Sequence, residues 1–227
     1  MNKFSALLLS FFLSMSMYSQ IHELGVFLGG SNYIGDIGPT TYVAPNKMAY
    51  GLLYKWNKTT RHSFRLSYTQ SELTSNDLDS KEPSREQRAY RFDNTVKELA
   101  VGIEFNFFEY DLSKLDNQFT PYLYTGLTYT QYDGLFFVNN LTRYDSEHGT
   151  VAIPITLGIK TNLNSRFVLG LEVGARYTFA DDIDGSNPTN DGLKNIRFGN
   201  TNNNDWYVFS GITLTYTFGS KPCYCVK

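Results

Sequence analysis

The chain has 227 residues, is 41% hydrophobic and 16% aromatic, and carries a formal net charge of −2. The length fits one domain or one large all-β unit, and the charge leaves no basic footprint for nucleic acid. With 17 tyrosines, 17 phenylalanines and few amphipathic helical runs, the composition suits a β protein whose sheet faces two different media.

Residues 1–19 read as a secretory signal peptide. A short basic start, "MNK", precedes the apolar run "FSALLLSFFLSMSMY", which is too short for a spanning helix of about 20 residues. Ser19 is a small residue suited to the position before the cut, and Gln20 would follow it. A retained anchor is the alternative. Residues 20–218 are then expected to form one barrel, with 219–227 as a tail.

"GVFLGGSNYIGDIG" (25–38) follows. Its glycines suggest a phosphate-binding loop, but such a loop needs a helix directly after them and, in the Walker type, Gly-Lys-Ser/Thr. Neither is present. Leu24, Val26 and Leu28 share one face and Gly25, Phe27 and Gly29 the other, so the stretch reads as a strand broken at Asp36-Ile37-Gly38-Pro39.

Period-two alternation continues through seven further stretches, at 48–56, 61–68, 96–108, 121–132, 151–160, 166–179 and 205–218. Each is close to the about 9–11 residues that a tilted strand needs to cross a bilayer. One face carries Leu, Ile, Val and Phe, with Tyr and Trp towards the ends. The other is rich in Gly and Thr, with Arg65, Glu98, Glu104, Lys160, Glu172 and Arg176 spaced along it. Repeated glycine on one face implies crowding there. A narrow closed barrel supplies it, and charges inside must pair. These six residues are therefore expected to form a lumen network. A lipocalin-like soluble barrel would instead be apolar inside.

Connections alternate in length. "NKTT", "EYDLSKLDNQF" and "TNLNS" are short or intermediate; 36–47, 71–95, 133–150 and 180–204 are long and polar. Short periplasmic turns and long external loops give this pattern. The expectation is an all-β, eight-stranded antiparallel transmembrane barrel in the outer membrane of a Gram-negative cell, both termini periplasmic.

Few residues invite chemistry. His22 lies near the mature start, His62 on the lipid-side face, and His148 in "YDSEHG". That loop has serine, histidine and acid, but sequence neighbours seldom have triad geometry, and a solvated loop is expected. "ADDIDGSN" (180–187) has three carboxylates, yet Leu193 stands where a calcium-binding EF-hand loop places glutamate. A polar loop is expected there, calcium remaining open. No catalytic, cofactor or metal site is expected. Cys223 and Cys225 lie in an oxidising compartment after export, and either bridge each other in a small strained ring or pair with a partner chain.

"GGSNYIGD", "IPITLGIKTNL", "LGLEVGARYTFADDIDG" and the cysteine-bearing tail resemble the PorG-type outer-membrane barrels of the type IX (Por, gliding-associated) secretion system. The resemblance covers nearly all of the mature chain and is carried most by "GGSNYIGD" and the tail. It implies a non-enzymatic accessory barrel that anchors or positions a periplasmic ring made by a lipoprotein and its partner, with no catalytic residues to carry over. Two other functions stand beside it: a general OmpA-like barrel for envelope stability or adhesion, and a barrel enzyme or small pore.

Overall fold

The computed structural model describes residues 21–114, 116–200 and 202–219. The signal peptide expected at 1–19 and the tail cysteines Cys223 and Cys225 lie outside them. Eight antiparallel strands close into one barrel in chain order: β1 (Ile21–Ile34), β2 (Lys47–Asn57), β3 (His62–Asn76), β4 (Arg91–Asn106), β5 (Phe119–Val138), β6 (Leu141–Asn162), β7 (Phe167–Thr178) and β8 (Trp206–Phe218). The β1–β8 seam runs from His22↔Phe218 to Ile34↔Trp206. Closure removes the unpaired edges that an open sheet would present. An even strand number puts both ends of the barrel's chain at the same rim.

The polarity of the barrel is inverted. Leu24, Leu52, Leu66, Val101, Leu127, Leu157, Leu171 and Leu214 are exposed on the outside, while eight charged side chains of the strands are buried within. Aromatic residues bound this belt at both rims. Tyr54, Phe64, Phe107, Phe119, Phe167 and Tyr216 stand towards one; Tyr50, Tyr68, Tyr129 and Trp206 stand towards the other. Water would meet this belt at a cost of roughly 25 cal/mol per Å² of apolar surface, whereas lipid meets it at none, and the aromatic rows match interfacial girdles. No helix among the described residues is long and apolar enough to cross a membrane.

At the rim carrying the termini, β2–β3, β4–β5 and β6–β7 are joined by residues 58–61, 107–118 and 163–166; we call it the turn end. The loop end departs from the sequence expectation in two places. The polar stretch 71–95 is half strand: β3 runs on to Asn76 and β4 starts at Arg91. What lies between is a short 3-10 turn and helix α1 (Pro83–Arg88), with Pro at the first turn and Ala89 in the left-handed conformation at its end. The stretch 133–150 is no loop at all. β5 and β6 pair out to Val138↔Leu141 around a two-residue turn, Asn139-Asn140, both at positive φ. Asparagine tolerates this primed turn, and its twist matches the strands. The β5–β6 register shifts once, at a bulge between Asp133 and Leu135.

The loop end is also capped from within. Tyr33, Ile37, Leu73, Phe92, Leu135, Phe137 and Ile183 pack into one buried cluster, joined by Tyr90 and Phe198. Arg88 lies over the rings of Tyr90 and Phe198 at 5.2 and 4.6 Å and donates to Asp77 at 2.7 and 3.0 Å. The long loops are thus folded into the mouth of the barrel.

Candidate functional site

The lumen holds the greatest concentration of charge. Every second residue of each strand points inward, which brings four cations (Lys55, Arg65, Lys160, Arg176) and four carboxylates (Glu23, Glu98, Glu104, Glu172) into the interior, all buried. The two sets balance, so the barrel wall adds no net charge to its own core.

All six residues expected on the inner face are there, and the structure brings them together in two clusters. Nearer the turn end, Glu104 receives Lys55 Nζ at 2.8 Å and Lys160 Nζ at 2.6 Å. Beside it Arg65 grips Glu172 through both terminal nitrogens, at 2.7 and 2.9 Å, and Tyr122 donates its hydroxyl to the same carboxylate at 2.8 Å. Towards the loop end, Arg176 donates to Glu98 at 3.1 and 3.2 Å, and Tyr207 adds a hydroxyl at 2.8 Å. The cations also lie against rings: Arg65 on Tyr124 at 4.8 Å, Arg176 on Phe209 at 4.6 Å and Lys160 on Tyr110 at 4.9 Å. Each short ion pair joins strands that are not neighbours: β3 with β7, β4 with β7, β2 with β4, and β4 with β6. The network therefore spans the barrel rather than lining it.

Two members stand outside the six residues of the expected network. Lys55 sits on the inner face of β2 at the end of its alternation. Glu23 precedes the stretch where alternation becomes visible. Glu23 is held by Asn57 Nδ2 at 2.8 Å and by the Thr215 hydroxyl. The usable signal was phase, since each follows an inward residue, Leu53 or Ile21, by the strand period.

Small residues let the walls approach. Gly102 and Gly126 face each other across β4 and β5, and a Cβ on either would overlap the opposing carbonyl oxygen, of Thr125 or Val101. The opening glycines serve the same purpose. Gly25 and Gly29 lie against Leu214, Thr215, Ser210 and Gly211 at the closing seam. They make room for a strand contact, with no helix after them to present amides to an anion.

The histidines fall in three places. His22 accepts or donates to the Tyr54 hydroxyl at 2.7 Å and stacks on Phe218. His62 is exposed at the start of β3, against Phe105. His148 departs from the expectation of a solvated loop, because it is tied at both ring nitrogens. Its Nδ1 lies 2.7 Å from Asp182 Oδ2 and its Nε2 2.9 Å from Ser146 Oγ. The acid comes from the β7–β8 connection, not from neighbouring Asp145 or Glu147, and a local reading of "YDSEHG" could not supply it.

Around Asp182 the 180–187 loop is acidic and largely enclosed. Asp184 and Asp205 are buried, and both carboxyls are pushed up by that burial, Asp205 also by the charge of Asp184. The half-buried Asp181 is raised to about 6, first by burial. No grouping of three or more His, Cys, Asp or Glu with metal-binding geometry occurs among the described residues.

A closed barrel, apolar outside and charge-paired within, defines the class: a small eight-stranded membrane barrel with a filled lumen. The chain belongs to the family described as a domain of unknown function, DUF6089, whose model matches residues 2–227. No curated protein matches it. Among solved structures it is similar to Ail, the attachment invasion locus protein of Yersinia pestis, crystallised with the heparin analogue sucrose octasulfate; identity is 11%, coverage 88% of this chain and 100% of that one, and the TM-score 0.48. It is similar to the N-terminal β-barrel domain of Pseudomonas aeruginosa OprF, at 10% identity, 88% and 98% coverage and a TM-score of 0.47. Neisserial surface protein A gives 10% identity, 88% and 97% coverage and a TM-score of 0.47.

Proposed function

We propose that this chain is an outer-membrane component of a type IX secretion system, where it anchors or positions a periplasmic ring lipoprotein and its ring partner. The observation that carries the reading is the neutral, cross-braced lumen. A barrel filled by its own ion pairs offers no path to solute, so its work falls to its surfaces. The apolar belt fixes it in the bilayer. The sequence resemblance at "GGSNYIGD" and the tail supports the choice of machinery. In this reading the turn end is periplasmic, both termini lie there, and the partner-facing surface comprises the β4–β5 connection and the tail from Gly219 to Lys227. Cys223 and Cys225 would then serve a partner contact or bridge each other.

The test is affinity purification of the tagged protein from gently solubilised membranes. A co-purifying periplasmic lipoprotein and its partner, lost when the chain is cut after Gly219, support the reading. Recovery of the barrel without them, with secretion normal in its absence, replaces it with a general role in envelope stability.

A further inference from the structure

Ser146, His148 and Asp182 lie outside the lumen network and have no part in the proposed anchoring role. They are hydrogen-bonded in series, Ser146 Oγ to His148 Nε2 at 2.9 Å and His148 Nδ1 to Asp182 Oδ2 at 2.7 Å. With Nδ1–H donating to the Asp182 carboxylate, the neutral imidazole presents Nε2 as an acceptor to the serine hydroxyl. The second oxygen of Asp182 is held by the Tyr132 hydroxyl at 2.5 Å, and the Tyr132 ring meets the imidazole edge-on. Acid and base are thereby fixed, with side-chain exposures of 4% and 19%, while Ser146 is open to solvent. Asp145 and Ser146 form the bulged pair of β6 opposite Gly134 of β5, and Gly134 passes so close that a Cβ there would crowd the His148 ring. Bulges re-aim side chains in this way beside reactive sites.

We propose that Ser146, His148 and Asp182 form a nucleophile, base and orienting acid that cleave small carboxylic esters arriving from solvent at the loop end. The surroundings set the charge of the substrate. Asp145 and Glu147 flank the serine in sequence, so neutral or cationic esters are taken and anionic ones disfavoured. Ser146 Oγ adds to the ester carbonyl carbon as its proton passes to His148 Nε2. The adduct collapses with cleavage of the acyl–oxygen bond, and that proton leaves on the departing alcohol. Water then attacks the acyl-serine and gives a proton to Nε2; the acid departs as Ser146 Oγ takes the proton back. The net reaction consumes one ester and one water and yields an acid and an alcohol.

The full chain, refolded in detergent and checked by heat-modifiable gel mobility, is treated with a neutral fluorophosphonate, and labelled serines are mapped by mass spectrometry. Ser84, exposed on α1, is the internal control. Labelling at Ser146 should exceed that at Ser84 by about 10²-fold or more, the usual worth of a positioned base. His148→Gln should remove the excess, and Ser146→Ala should abolish hydrolysis of p-nitrophenyl acetate. Labelling of Ser146 no faster than Ser84, or unchanged labelling in folded His148→Gln, overturns the proposal.

Discussion

Arg65 and Glu172 stand 107 residues apart in sequence and meet inside the barrel in a two-pronged ion pair, at 2.7 and 2.9 Å. Replacing Glu172 by alanine leaves the buried guanidinium only Glu104, 3.9 Å away and already shared by two lysines, and withdraws an acceptor from Tyr122. The expected cost is about 3–5 kcal/mol, read as a lower urea midpoint in detergent. Arg65→Met with Glu172→Leu should recover most of it, because the desolvation penalty disappears with the pair. Full stability in Glu172→Ala alone would contradict a dry, paired lumen.

The filled interior also predicts electrical silence. In a planar bilayer the wild-type protein should carry no steady ion current, and Glu172→Ala should not open a wide path, since Tyr122, Tyr124 and Tyr207 still occupy the cross-section. Stable unitary conductance of the wild type would refute the sealed lumen.

Gly102 tests the wall. An added methyl would overlap the Thr125 carbonyl oxygen, a backbone atom that cannot swing aside. Gly102→Ala should therefore cost about 1–3 kcal/mol, the range for overpacking, and slow barrel closure in a refolding assay followed by gel mobility. A substitution at Gly192, where the nearest atom is a flexible Asn190 side chain at 3.4 Å, should be silent in the same assay.

The 180–187 loop should loosen as pH rises. Asp181 has its carboxyl raised from 3.8 to about 6, so the folded loop holds a proton that the unfolded chain releases. The stabilisation linked to that proton is complete below pH 3.8 and lost as pH passes through about 6. The ionised Asp181 then faces the carboxyls of Asp36, Asp182 and Asp184, against one amide donor from Asn187 at 3.0 Å. Hydrogen exchange across this segment, corrected for intrinsic rates, should increase over that window. Asp181→Asn should flatten the dependence.

The two tryptophans report the belt from opposite rims. Trp56 stands near the turn end and Trp206 at the loop end, 37% exposed on the outer face. In vesicles, lipids brominated near the headgroup should quench both more than lipids brominated at the chain ends.

Much of this architecture was legible because a barrel wall imposes a period of two, and period two survives in sequence wherever one face meets lipid. Arg65, Glu98, Glu104, Lys160, Glu172 and Arg176 stood out as charges in phase with glycine and threonine. Glu23 and Lys55 were harder to see because each ends an alternating run and looks like a boundary. Beyond the belt the rule lapses. There Leu135 and Phe137 of β5 turn into the buried cap while residues 141–149 of β6 stay open on both faces, and Asp133–Thr150 lost the contrast that marks a strand. The Ser146–His148–Asp182 series was hidden for another reason: its acid arrives from a different connection, and no local window holds both.

The cross-barrel ion pairs bear on how the molecule comes to be assembled. A partial sheet of four strands would leave two edges unpaired and would hold Arg65 without Glu172, and Glu98 without Arg176. Inserting such a fragment into lipid would bring unneutralised charges with it. Registration of the last strands against the first therefore completes the electrostatics and the hydrogen bonding in the same event. The barrel is expected to enter the membrane as a single cooperative step, with charge neutrality acting as the checkpoint that incomplete intermediates fail.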